Sequence, residues 1–150
     1  MKIARAMPAD AEAILALQKL AYESEARLYD DWSLPPLLQT VESLRREIES
    51  DVVLKMTDGD AIVGSVRARR DGEVCRVGRL IVAPNLQGRG LGTQLMNAIE
   101  REFMQTRKFE LFTGSRSERN ILLYERLGYR RSREEVLSPA VTLVHLEKVR

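Results

Sequence analysis

The stretch Leu80-Ile81-Val82-Ala83-Pro84, followed by Gln87-Gly88-Arg89-Gly90-Leu91-Gly92, joins an apolar strand-like run, Leu80 to Ala83, to an amphipathic helical one, Leu91 to Phe103. Three glycines at alternate positions free the backbone for positive φ and leave no side chain between the amides and a ligand. The helix that follows aims its positive end at the same place. Such a junction suits a phosphate or diphosphate. It is not the lysine-bearing phosphate loop, because no lysine follows any of these glycines. The pattern G-x-G-x-x-G also fails in register: begun at Gly88 its third glycine falls on Thr93, and begun at Gly90 it falls on Leu95. What remains is Q-x-x-G-x-G behind a strand that ends Val-Ala-Pro.

Outward from this junction, the chain reads as alternating strands and helices. Lys2 to Ala6 is strand-like, and Pro8 and Asp10 suit the first turn of a helix that runs to about Arg27 with Ile14, Leu15, Leu17 and Ala21 inward. The prolines at 35 and 36 make Leu28 to Gln39 a loop, after which Thr40 caps a helix carrying Val41, Leu44 and Ile48 on one face. Strands are expected at Val52–Met56, Ala61–Arg69 and Glu73–Val82, joined by hairpin turns at Asp58-Gly59 and Asp71-Gly72. In the helix after the glycines, Leu91, Leu95, Ala98, Ile99 and Phe103 form the buried face, with Gln94, Asn97, Glu100 and Arg101 opposite. Phe109 to Thr113 is a further strand, Ser117 caps a short helix ending near Gly128, and Tyr129–Arg133 and Val141–Leu146 are strands that complete the sheet. The expected architecture is α/β: one domain, 1–150, with about seven strands in a mixed, mostly antiparallel sheet flanked by about four helices.

The formal charge is +2 with acidic and basic residues interspersed, so neither charge pattern nor aromatic spacing points to nucleic acid. A single cysteine, Cys75, excludes an internal disulfide and a multi-cysteine metal centre, and no apolar N-terminal stretch reads as a leader or membrane span. A soluble cytoplasmic protein without metal is expected. Cys75 reads as a small buried hydrophobe, His145 as structural or exposed, and Arg67, Arg69 and Arg70 as a solvated strand edge, with contact to a phosphate or an acidic partner as the second reading.

With the elements in this order, the chain resembles the GNAT superfamily of N-acetyltransferases. Leu80, Val82, Pro84, Gln87, Gly90 and Gly92 match its acetyl-CoA signature, and Leu123-Tyr124-Glu125-Arg126-Leu127-Gly128-Tyr129 resembles its L-Y-E-x-L-G-F/Y segment. The resemblance implies acetyl-CoA as donor. It implies that the amides of Gly88, Arg89, Gly90, Leu91, Gly92 and Thr93 bind the diphosphate, and that the strand edge at Leu80, Ile81 and Val82 bonds the pantetheine arm. Asn120 is a further candidate for that arm. Arg89, Arg119 and Arg126 are candidates for the nucleotide phosphates. Ser117, on the same short helix as Asn120, is a candidate for the pantetheine arm too, but capping of the helix is the favoured reading.

The same resemblance carries the general-acid role to Tyr124. A phenol of pKa ~10 holds its proton at neutral pH, and a departing thiolate of pKa ~8.5 can use one. The competing reading is a packing aromatic beside Ile121 and Leu127. An alkyl amine of pKa ~10.4 must lose a proton first, at a cost of about 4.6 kcal/mol at pH 7. Related enzymes often place a glutamate on the strand before the short helix, but Phe112 stands there. Glu25 and Glu110 are the candidates for the base, with Glu25 ranked first, beside the reading of both as surface carboxylates. The segment Tyr22 to Thr40 is expected to wall the acceptor pocket. There Glu23, Glu25, Asp30 and Asp31 attract a cation and aromatics such as Tyr29 and Trp32 stack on it, or else Trp32 merely anchors a surface loop.

The function expected is N-acetylation of a small-molecule primary amine by direct attack in a ternary complex. The alternatives are acetylation of a protein N-terminus or lysine, and a non-catalytic acyl-CoA-binding regulatory module. A homodimer is common in such a family; nothing in the chain decides for it.

Overall fold

A computed structural model describes all 150 residues. Seven strands form one sheet: β1 (Lys2–Arg5), β2 (Val52–Asp58), β3 (Ala61–Asp71), β4 (Val74–Val82), β5 (Lys108–Gly114), β6 (Arg130–Ser138) and β7 (Val141–Val149). Their order is β1-β2-β3-β4-β5-β7-β6, and every neighbouring pair is antiparallel except β4 with β5. The helices are α1 (Ala11–Tyr29), α2 (Pro35–Leu38), α3 (Val41–Ser50), α4 (Leu91–Arg101) and α5 (Glu118–Arg126). The mixed, mostly antiparallel sheet agrees with the sequence expectation. The helices number five rather than about four, because Pro35 and Pro36 occupy the first turn of α2, where a missing N–H costs nothing.

The two hairpin turns each sit one residue later than expected. Asp58 pairs with Ala61 and Asp71 with Val74, leaving Gly59-Asp60 and Gly72-Glu73 as the loops. Gly59 (φ 62°) and Gly72 (φ 65°) each take the left-handed first loop position.

Period-two alternation splits the sheet between two apolar layers. On one face, Leu95, Met96 and Ile99 of α4 meet Val66, Ala68, Phe109 and Leu146. On the other, Ile14 and Leu15 of α1 and Leu44 and Ile48 of α3 cover Val53. Thr40 caps α3 as expected, its side chain accepting from the Ser43 amide at 3.2 Å. Glu100 departs from expectation. It is buried rather than on the outer side of α4, because it accepts from the Tyr129 hydroxyl and from Lys148 Nζ, both at 2.9 Å.

The parallel pairing of β4 with β5 covers only Val74, Cys75 and Arg76 against Lys108, Phe109 and Glu110. Beyond Arg76 the strands part, so the edge of β4 from Val77 to Val82 has no strand beside it on that side. The opposite edge of β4 carries a bulge. Pairing with β3 steps from Arg67 with Gly78 to Ser65 with Ile81, so Arg79 and Leu80 face Val66 alone. Arg79 takes φ 52°, a left-handed conformation that costs a residue with a Cβ about 1–2 kcal/mol.

Candidate active site

The gap between β4 and β5 opens into a cavity of about 560 Å3. Val77 to Leu80 form one wall and Leu111 to Gly114 the other. Tyr22, Glu25 and Tyr29 enter from α1, and Asn120 and Tyr124 from α5. Leu137, Val141 and Leu143 of the β6–β7 hairpin close the outer side. Tyr29, Leu34 and Val141 pack together there, with Leu37 and Leu143 against them, so the segment between α1 and α3 is held to the hairpin by apolar contact.

A chain of hydrogen bonds fixes the end of α1 across the cavity mouth. The Arg116 amide donates to Tyr29 Oη at 2.9 Å, Tyr29 and Ser117 hydroxyls are 2.8 Å apart, and Ser117 Oγ donates to Glu25 Oε2 at 2.6 Å. Because Ser117 donates its hydrogen to Glu25, the Tyr29 hydroxyl donates to Ser117 Oγ while accepting from the Arg116 amide, and both hydroxyls are satisfied. Ser117 therefore does not cap α5: its side chain makes no cap bond and is spent on Tyr29 and Glu25. Gly114 permits this approach, since a Cβ there would overlap Oη and Cζ of Tyr29 and come within 2.9 Å of Cε2.

Tyr124 is buried edge-on to Tyr129, with ring centroids 6.0 Å apart. Burial is the main cause that pushes its phenol above the ordinary tyrosine range, with Tyr22 and the charge of Glu25 adding to it. Packing aromatic and cavity-lining phenol are thus the same residue. Tyr22 is raised in the same direction by burial, with Glu25 again contributing.

The glycine loop behaves as two different things. Gly88 (φ 80°) and Gly90 (φ 77°) are left-handed, and a Cβ at either would meet nothing within 4 Å. Gly92 lies inside α4, where a Cβ would stand 3.2 Å from Leu123 Cδ2, so its smallness serves helix packing. A backbone cradle open at Gly88 and Gly90, on a helix N-terminus, next to an unpaired strand edge, fits a diphosphate joined to an amide-bearing arm. Leu80 and Val82 are half-buried on that strand and Ile81 is buried. Gln87 bonds the Val82 carbonyl at 3.4 Å. Arg89, Arg119 and Arg126 are exposed.

The remaining sequence candidates divide. Glu25 and Asn120 line the cavity. Glu110 does not: it sits where β4 and β5 still pair and is bound to Arg76 at 3.0 Å and Lys108 at 3.5 Å. Phe112 lines the cavity and packs against His145, whose ring nitrogen is 2.8 Å from Glu135. Cys75 is fully buried and its thiol is pushed up to about 12, chiefly by burial, as befits a packing residue.

Trp32 is 54% exposed and anchors nothing; Tyr29 and Leu34 hold that segment. Glu23, Asp30 and Asp31 lie outside the cavity wall, and the face of Tyr29 is already covered by Arg116 at 5.9 Å. Arg67 is the largest correction. It is 6% exposed rather than on a solvated edge, since its position on β3 faces α1 and α3, where Gln18, Gln39 and Glu47 all bond it. Arg69 and Arg70 are exposed as expected. Sequence reading passed over Gln18, Arg79 and Gly114. A glutamine within the apolar stripe Ile14-Leu17-Gln18-Ala21 and an arginine inside the apolar half of β4 were the available signals.

Residues 26–150 match the family model described as an acetyltransferase (GNAT) domain. The chain belongs to the GNAT acetyltransferase family. It is therefore an acyltransferase of a family that depends on acetyl-CoA. Its fold is similar to that of the PaiA N-acetyltransferase of Thermoplasma acidophilum solved with coenzyme A (TM-score 0.81, 13% identity, 99% of this chain and 98% of that one). It is also similar to the ribosomal-protein-S18-alanine N-acetyltransferase of Escherichia coli (0.80, 14%, 99% and 92%). A third similar fold is that of a GNAT-family acetyltransferase from Streptococcus pneumoniae (0.77, 18%, 99% and 98%). No curated protein sequence matches the chain. No helix is long and apolar enough to cross a membrane.

Proposed function

We propose that this GNAT-family chain transfers the acetyl group of acetyl-CoA to the amino nitrogen of a small molecule. The observation that carries the reading is the placement of Tyr124 and Glu25 on one cavity at the gap between β4 and β5. Its size lies within the range of about 300–1,000 Å3 usual for small-molecule sites. The α1 end, α2 and the β6–β7 hairpin wall it from the outside, which favours a compact acceptor over a peptide.

Acetyl-CoA, when bound, supplies an acyl group already activated as a thioester. The amides of Gly88, Gly90 and their neighbours hold its diphosphate, and the unpaired edge of β4 at Leu80 to Val82 bonds its arm, with Asn120 beside it. Glu25, oriented by Ser117, takes a proton from the incoming ammonium directly or through one water, so that the nitrogen attacks as a free amine. Tyr124 holds a proton at Oη for the departing sulfur. Because burial raises that phenol, it stays protonated far into alkaline pH and is a reserve acid rather than an anion.

The test is release of free thiol from acetyl-CoA against a panel of amines and short peptides, with the product and the intact protein weighed by mass spectrometry. The proposal expects thiol release that needs an amine and equals the acetamide formed, with the protein mass unchanged. Turnover only with peptides would overturn the small-molecule assignment, and coenzyme binding with no turnover at all would leave a binding module.

A further inference from the structure

Four arginines line the cavity: Arg76 is paired with Asp71 and Glu110 and Arg69 is exposed, while Arg67 and Arg79 are the two left without any part in the chemistry above. Arg79 forms no ion pair, and its Nη1 is buried without a hydrogen-bond partner. Arg67 is pinned by Gln18, Gln39 and Glu47, yet its Nε is buried and unpartnered as well. Burial is the main influence that disfavours the charge on Arg79; among its neighbours Tyr22 and Glu47 favour that charge and Arg67 opposes it. Glu47 already bonds Arg67, so two guanidiniums share one carboxylate. The other carboxylates on the cavity wall are Glu25, bound to Ser117, and Asp51. A buried cation left in this state is costly unless an anion completes it.

The bulge explains how Arg79 comes to be there. On an unbroken strand, Gly78 faces the same side as its partner Arg67, and residue 79 would point to the α4 layer. The left-handed turn at Arg79 breaks that alternation and leaves its side chain on the cavity wall. Strain retained at such a position is a pointer to function. The diphosphate does not need these two groups. Arg67 bonds Gln18 of α1 on one face of the sheet, while α4, whose N-terminus ends the glycine loop, packs Leu95 against Gly64 on the other.

We propose that the acceptor carries an oxyanion as well as its amine, and that Arg79, backed by Arg67, is the specificity-determining contact for it. The acceptor class is thus an amino carboxylate or amino phosphate. The amine lies toward Glu25 and Tyr124, and the oxyanion lies on the paired guanidiniums, whose planar forks match either group. The proposal rests on the N-acetyltransferase reading, and its test separates the two.

Linear ω-amino carboxylates from glycine to aminocaproate are each paired with the alkylamine lacking the carboxylate, and phosphoethanolamine is paired with ethanolamine. In the wild-type protein, at least one anionic member should exceed its neutral partner in kcat/KM by roughly 10- to 100-fold, and whether that member is a carboxylate or the phosphate identifies the oxyanion. Arg79→Gln should collapse that ratio to within about 3-fold, mainly by raising KM for the anionic member. Arg79→Lys should restore part of it. Should Arg79→Gln fail to fold, Arg79→Gly removes the guanidinium while accepting the left-handed backbone. A purely structural arginine would lower both members alike, and an unchanged ratio, or a wild-type preference for neutral amines, overturns the proposal. If no amine is turned over, the N-acetyltransferase reading fails by itself. Titration of the coenzyme-loaded protein with the same pairs then decides the anion site: tighter binding of the anionic members, lost in Arg79→Gln, upholds it, and equal binding rejects it.

Discussion

Replacing Gly114 with alanine should unhook the end of α1 from the active site. The added Cβ overlaps Oη and Cζ of Tyr29 outright, where ordinary carbon contacts need about 3.5 Å or more, so the buried ring must retreat by more than about 1 Å. That retreat breaks the 2.8 Å bond to Ser117 and the 2.9 Å bond from the Arg116 amide. Two bonds at about 1 kcal/mol each, with overpacking of about 1–3 kcal/mol, give a loss of about 3–5 kcal/mol. In a chain of this size that is a fall in Tm of roughly 10 °C. Urea unfolding of the wild type, Gly114→Ala, Tyr29→Leu and the double variant measures it. If the clash is with Tyr29, alanine should cost at least about 2 kcal/mol less in the Tyr29→Leu background, a coupling that only contacting residues show. Equal costs in both backgrounds, or a loss below about 0.5 kcal/mol, would refute the reasoning. Turnover should fall in Gly114→Ala as well, since Ser117 loses the donor that orients it toward Glu25.

Tyr124→Phe keeps the ring packed on Tyr129 but removes the proton. We expect kcat to drop by about 100-fold or more with little change in urea stability, and unchanged turnover across the pH range would remove Tyr124 from the acid role. Glu25→Gln keeps an acceptor for Ser117 and loses the base. Its activity should be low at neutral pH and recover as the medium approaches the amine's own pKa of ~10.4, whereas a pH profile parallel to wild type would argue against the role. Gly90→Val meets no neighbour but forces a β-branched residue to φ 77°. Calorimetry should show acetyl-CoA affinity falling by more than the roughly 1–2 kcal/mol of strain seen in unfolding. At high pH the protein should weaken. Cys75, Tyr22, Tyr124 and Tyr129 are all raised by burial, so the unfolded chain ionises first. The stability they confer is whole below about pH 9 and falls above it, by up to roughly 1.4 kcal/mol per pH unit for each group, while Cys75→Ala should flatten the slope between pH 9 and about 12.

Local chemistry made much of this legible in the sequence. Two glycine-led turns, the Thr40 cap and the alternation of β2 to β4 are short-range signals, so the sheet could be drawn from them, off by a residue at the hairpins. The glycine loop could be placed because a strand, a turn and a helix N-terminus are adjacent in the chain. What could not be read depends on residues far apart. Ser117 looks like a helix cap until Tyr29 and Glu25, roughly ninety positions earlier, arrive beside it. Arg67 looks solvated until α1 and α3 fold over it and supply Gln18, Gln39 and Glu47. Arg79 reaches the cavity only through a bulge, which alternation alone does not reveal.

The account stands most directly on whether the left-handed glycine loop and the unpaired edge of β4 hold acetyl-CoA. Titration of the folded protein with acetyl-CoA in a calorimeter should give saturable heat at one equivalent per chain, weakened by salt as expected for a bound diphosphate. A folded protein that gives no heat at any coenzyme concentration would contradict it.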